Sequence, residues 1–149
     1  MAAFNFYYPI DVRYGDIDAH GHVNNAKYLT FCEQARVKYV THLGLWQGGS
    51  FLDFGIILAE IKITYHAPIL FGTQVRVGVR VSRLGNKSMT MEQRIEDVRI
   101  QDAQTGQGFA NCTAILVAYD YHRQSTILIP QEWREAIADF EGLPLSASP

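Results

Sequence analysis

Between Asn24 and Gly44 the sequence repeats at intervals of three and four. Tyr28, Cys32, Ala35, Tyr39 and Leu43 form a stripe, with Leu29, Arg36 and Val40 beside it. Lys27, Gln34, Lys38 and His42 fall elsewhere. That pattern predicts one amphipathic helix of about twenty residues. Asn24 or Asn25 suits the N-cap, and Gly44 a stop. Period-two runs surround the helix. Before it, Phe4, Phe6, Tyr8, Ile10, Val12 and Tyr14 alternate with polar positions. After the Gly48-Gly49 loop come Ile61, Ile63 and Tyr65, with Pro68 ending the run. Val75 to Val81 and Met89 to Ile95, the latter with Gln93 in the same register, follow. A mostly apolar run spans Thr113 to Tyr121. Leu84-Gly85-Asn86 and Thr105-Gly106-Gln107-Gly108 read as hairpin turns. A short last helix starts at Pro130, with Trp133, Ile137 and Phe140 on one face.

No helix separates the later strands, so the sheet they form must be largely antiparallel. One long helix facing about five strands gives an α+β domain. The chain has 149 residues, 48% hydrophobic and 19% charged, which is one globular domain with a real core. The segment 142–149 reads as a tail, disordered or draped. One helix covers only part of such a sheet, so an oligomer is expected. A net charge of −2 gives no global field for nucleic acid. No apolar run reaches the ~20 residues that cross a bilayer. Met1 to Tyr8 lacks the basic start and long apolar stretch of a leader. The expectation is therefore a cytoplasmic chain, with Cys32 and Cys112 as buried thiols.

The densest polar cluster joins the first strand to the helix: Asp16, Asp18, His20 and His22. Residue types alone allow turn and cap formation. Metal binding would need a straight strand to align the four side chains, and Gly21 and the helix start interrupt it. The third possibility is acyl transfer. A carboxylate is a weak base, so its substrate must already be activated, as a thioester is. A helix start offers free N–H groups and partial positive charge, which stabilise a forming oxyanion.

The run Asp16-Ile17-Asp18-Ala19-His20-Gly21-His22-Val23-Asn24-Asn25-Ala26-Lys27-Tyr28 resembles the D-x-D-x-x-G-H-V-N-N-x-x-Y signature of hotdog-fold acyl-CoA thioesterases of the 4-hydroxybenzoyl-CoA thioesterase family. Tyr28-Leu29, Glu33, Ala35 and Arg36 extend the match. The resemblance implies a hotdog fold, in which the antiparallel sheet wraps the long helix and two chains pair edge to edge, with active sites at the dimer interface. It implies Asp18 as the catalytic carboxylate, attacking directly or through water, and the Asn25 N–H as oxyanion donor. His22 is either an orienting residue or structural, Asp16 is structural, and Tyr28 is pocket wall or core. Glu33 and Arg36 read as a surface or interfacial ion pair.

Coenzyme A carries phosphates, and the turn Ser82 to Ser88 offers Arg83, Lys87 and Ser88, matching the family's basic hairpin. His122 and Arg123 are a second candidate. Phe51, Phe54, Ile56, Ile57 and Leu58 fall in the stretch that lines the acyl channel of relatives. Aromatic residues just before the helix, usual in branches that read aromatic acyl groups, are replaced here by His22-Val23-Asn24-Asn25, which favours aliphatic chains. The expected substrate is thus an aliphatic acyl-CoA or an acyl carrier protein thioester. Coenzyme A enters as part of the substrate, no other cofactor or metal is expected, and the assembly is a homodimer or homotetramer. The rivals are an enoyl-thioester hydratase on the same fold, with His20 or His22 supplying the imidazole, and a non-catalytic acyl-CoA sensor.

Overall fold

The computed structural model describes residues 4–99 and 108–147. Its elements are β1 (Phe6–Ile10), α1 (Asn25–His42), β2 (Ile56–Tyr65), β3 (Val75–Leu84), β4 (Ser88–Asp97), β5 (Ala110–Asp120), a two-residue β6 (Ser125–Thr126) and α2 (Gln131–Glu141). All ladders are antiparallel, in the order β1-β3-β4-β5-β2, and β6 pairs off β5. This is the hotdog arrangement, an antiparallel sheet packed around one long central helix. Thr105 to Gln107 of the second expected hairpin turn lie outside the described residues.

The helix begins and ends where its residues dictate. The Asn24 side chain accepts the Ala26 N–H at 2.9 Å, and Gly44, at φ 74°, follows the Leu43 cap. Tyr28, Phe31, Cys32, Ala35, Arg36, Tyr39 and Val40 are its buried residues. They face Val75, Val77, Val79 and Val81 of β3 and Met89, Met91 and Ile95 of β4, all buried in one core. Gln93 points inward among them and is 2% exposed. Its amide nitrogen donates to the Cys32 carbonyl at 2.7 Å, so the central helix hangs on a polar contact from the middle of the sheet. Cys32 and Cys112 are both buried, free thiols.

Two expectations are corrected. The alternation from Phe4 to Tyr14 is not one strand. β1 ends at Ile10, because β3 begins at Val75, its partner in the ladder. With no strand left to pair with, the chain turns through a 3₁₀ segment, and Tyr14 is 87% exposed. Glu33 and Arg36 do not pair on the helix surface. Position 36 falls on the stripe facing the sheet, so Arg36 is buried and its Nη2 donates to Gln93 Oε1 at 3.4 Å, while Glu33 stays exposed.

The outer face of the sheet is a charge ladder. Arg76 bonds Glu96 across the β3–β4 pair, and Arg80 bonds Glu92. Between these rungs lies Gly78, and the Phe4 ring covers it. The Arg80 guanidinium sits 4.9 Å from that ring's centre. At the far end α2 closes the core. Its Glu141 accepts the Tyr39 hydroxyl at 2.6 Å and the Val81 N–H at 3.0 Å, and burial pushes the Tyr39 hydroxyl well above the usual tyrosine range. After Gly142 the chain folds back. The Leu143 N–H bonds Ala138, and Arg134 holds the Leu145 carbonyl.

A Cβ at residue 78 would lie 2.6 Å from the Phe4 ring. Gly78→Ala is therefore expected to lower unfolding free energy by about 1–3 kcal/mol in urea denaturation, through displacement of Phe4. An unchanged midpoint would show that the ring moves aside freely.

Candidate active site

The loop from Asp16 to Asn24 is a miniature hairpin. The Asn24 N–H donates to the Asp16 carbonyl at 2.8 Å, Ile17 bridges Val23, and the Asp18 N–H donates to the His22 carbonyl at 2.8 Å. Its tip closes with the Gly21 N–H on the Asp18 carbonyl. Gly21 sits at φ 80°, a conformation that costs glycine little and other residues considerably more. Below the hairpin Asp16 is buried. Its carboxylate accepts the Arg13 N–H at 2.9 Å, and the Lys27 ammonium approaches to 3.7 Å. On its other side the Val23 N–H bonds Ile69, and His22 bridges Leu70.

Asp18 is half-buried at the tip. Its Oδ1 accepts the His20 N–H at 2.9 Å, and among the described residues its Oδ2 has no hydrogen bond. The His20 ring is mostly in solvent. His22 enters the site through its backbone, which fixes the hairpin. Of the two readings for Tyr28, the structure places it in the core. It is 2% exposed, donates to the Ala67 carbonyl at 3.1 Å and accepts the Ile69 N–H at 3.2 Å. Burial raises its hydroxyl above the ordinary tyrosine range, and the charges of Tyr65 and Asp18 push the same way.

The donors at the start of α1 can be followed one by one. Asn24 N–H goes to Asp16, Ala26 N–H to the Asn24 side chain, and Lys27 N–H to the Asn24 carbonyl at 2.8 Å. The Asn25 N–H is left without a hydrogen bond among the described residues. The same residue's carbonyl accepts the Tyr65 hydroxyl at 3.0 Å. Tyr65, which ends β2, thus touches the first residue of the helix, a contact that sequence reading missed. The signal was only a tyrosine closing a period-two run.

Arg83, Lys87 and Ser88 are not brought to this loop by one chain. β3 starts at Val75, beside the β2–β3 loop that holds His22 and Val23, and ends at Leu84. The turn after it therefore lies a ten-residue strand away, roughly 30 Å. Nor is the turn loose. Asn86 accepts the Ile129 N–H, Gly85 accepts from Arg134, and Lys87 Nζ reaches the Thr126 hydroxyl at 3.5 Å. Arg83 and Ser88 share the wall of a small cavity of about 110 Å³. His122 is paired with Asp53 at 2.9 Å, which raises its pKa, and Arg123 with Asp120. Among the described residues, no three His, Cys, Asp or Glu side chains converge as metal ligands, and no helix is long and apolar enough to cross a membrane.

A larger pocket, about 370 Å³, opens beside the middle of α1. Glu33 and Arg36 line it with Phe51, Phe54, Ile56 and Leu58.

The cap can be tested separately from any chemistry. Asn24→Ala is expected to cost about 1 kcal/mol of stability by urea unfolding, since the Ala26 N–H loses its acceptor.

The chain is similar in sequence and fold to known proteins. A sequence model of the thioesterase-like superfamily matches residues 12–137. Long-chain acyl-CoA thioesterase FadM of Escherichia coli is 27% identical over 128 residues, covering 86% of this chain and 93% of that protein. Acyl-CoA thioester hydrolase YbgC of Escherichia coli O157:H7 is 26% identical over 91 residues, 60% of this chain and 68% of that one. A thioesterase from Thermus thermophilus, solved complexed with coenzyme A and Zn, is 32% identical with a TM-score of 0.77. The match covers 97% of this chain and 100% of that one.

Proposed function

Because the chain belongs to the thioesterase-like superfamily, we propose that it hydrolyses aliphatic acyl-CoA thioesters to free acid and coenzyme A. What supports this reading is that one small hairpin displays one group at its tip and leads into the other at the start of α1. These are a carboxylate with a free oxygen, Asp18, and a helix-start amide with no acceptor, Asn25. A thioester carbonyl oxygen held by the Asn25 N–H and the helix field becomes more electrophilic at carbon, and the negative charge of the tetrahedral state is stabilised there. Asp18 then acts on that carbon, either by direct attack or by taking a proton from attacking water. In the first route the C–S bond breaks to leave an anhydride between the acyl group and Asp18, which water then hydrolyses to free acid and carboxylate. In the second, water adds to the carbon and the C–S bond breaks. In both, the leaving thiolate takes up a proton.

Long-chain acyl-CoA is the substrate class named for FadM, and the apolar walls of the 370 Å³ pocket agree with an aliphatic chain. Acyl carrier protein thioesters present the same reacting group. β2 supports a homo-oligomer. It is the last strand on its side of the sheet, and Ile57, Leu58 and Tyr65 on it are all exposed. An uncovered apolar edge is an open template for another strand. The separation between Asp18 and the basic turn supports it too, since nucleotide phosphates held by Arg83, Lys87 and Ser88 would have to meet a site on another copy.

Asp18→Asn should lower kcat by about 10²–10⁴-fold in an assay of free thiol released from saturated acyl-CoA, with the thermal midpoint held. Wild-type turnover in that variant removes Asp18 from the reaction. Lys87→Ala should raise KM for acyl-CoA several-fold more than for the matching acyl pantetheine, which lacks the nucleotide. Equal effects on both esters exclude phosphate contact.

A further inference from the structure

We propose that the pocket beside the middle of α1 receives a hydroxyl group carried far along the acyl chain. The preferred substrates are then thioesters of distally hydroxylated acids. The inference rests on the thioesterase reading above and goes on to name the substrate class.

Arg36 is 6% exposed and forms no ion pair among the described residues. Among the described residues its one hydrogen bond is the long one from Nη2 to Gln93, so the terminal Nη groups keep unmet donors; Nε also lacks an acceptor there but is sealed within the protein. A buried guanidinium left this way is costly, and such groups ordinarily find an oxygen. Arg36 lines the 370 Å³ pocket, where every other wall residue but Glu33 and Tyr121 is apolar. The Tyr121 hydroxyl is already committed to the Ile56 carbonyl. An alkyl tail would fill the space and leave the cation unanswered. A carboxylate would answer it and meet the negative Glu33 on the same wall. A hydroxyl does both tasks, accepting from Arg36 and donating to Glu33.

The pocket also lies at a suitable distance. β2 runs beside α1 in the opposite sense. Its Tyr65 end bonds Asn25 at the helix start, and its Ile56 end walls the pocket near Arg36. Glu33 and Arg36 stand eight and eleven residues beyond Asn25. At ~1.5 Å per residue that is ~12 to ~16 Å along the helix. An extended alkyl chain advances roughly 1.3 Å per carbon, so the pocket is reached about nine to thirteen carbons from the thioester.

The test uses the intact protein and four esters: dodecanoyl-CoA, 12-hydroxydodecanoyl-CoA, 3-hydroxydodecanoyl-CoA and the mono-CoA ester of dodecanedioic acid. The 12-hydroxy ester should exceed the plain ester in kcat/KM by about tenfold, as one hydrogen bond to a charged group allows. The 3-hydroxy ester should gain nothing, and the dicarboxylic ester should fall below the 12-hydroxy one. In Arg36→Met the ratio of 12-hydroxy to plain ester should fall to about one. Equal or better use of the plain ester, the highest kcat/KM for the dicarboxylic ester, or a ratio untouched by Arg36→Met overturns the proposal. So does loss of oligomer mass in that variant without any hydroxyl preference in the wild type, which would assign the guanidinium to a second copy. Calorimetric binding of 12-hydroxydodecanoic against dodecanoic acid decides the matter without turnover. If no ester is hydrolysed, the thioesterase reading fails, and the same tenfold difference in binding still upholds the pocket. Where Arg36→Met does not fold, the wild-type ester series and the acid binding decide alone.

Discussion

Asp16 holds the loop before the helix with both its backbone and its side chain. Its carbonyl takes the Asn24 N–H, and its carboxylate takes the Arg13 N–H with Lys27 nearby. These contacts fasten the end of the first strand to the start of the helix and leave the residues between them only enough chain for a tight reversal. Asp18 is displayed at the tip because Asp16 is anchored beneath it. Asn24 is held in a cap conformation by the same bond, so it spends its own oxygens on Ala26 and Lys27. The amide between them is then the one left over. The arrangement proposed as the reactive one follows from how the helix start is satisfied.

A second polar contact orders the interior. Gln93 sits in the inward register of β4 between Met91 and Ile95 and reaches a carbonyl of the helix opposite. Apolar packing alone tolerates sliding of a helix over a sheet. A buried amide with one matching carbonyl does not, since a shift of one turn would leave it unpaired at a cost of about 1–3 kcal/mol. The same amide's oxygen turns Arg36 inward.

Much of this could be read before any coordinates. The three-and-four repeat located α1, and Asn24 and Gly44 marked its ends because capping is local chemistry. The antiparallel sheet followed from strands with no helix between them. What failed was non-local. Alternation from Phe4 to Tyr14 does not reveal that β3 stops offering partners at Val75, so it reads as a longer strand than the ladder allows. The charge of Arg36 reads as a surface residue, whereas its place beside the stripe of Tyr28, Cys32 and Tyr39 turns it inward. The start of β2 at Ile56 was hidden because an edge strand exposed on both faces has no clean alternation. The motif grouped Asp18 with Asn25 because they are seven residues apart. It said nothing about the Lys87 turn, whose distance depends on strand length and on how copies assemble.

Tyr65 ends the uncovered strand and grips the peptide unit that opens the helix. Its ring also stacks edge-on against Tyr28, 5.0 Å between centres, and Tyr28 braces the Ala67–Ile69 segment. The border of the sheet is therefore joined to the first residue of the helix by a single side chain. In the proposed assembly, a copy covering β2 and an acyl carbonyl held at the start of α1 would meet at this one phenol.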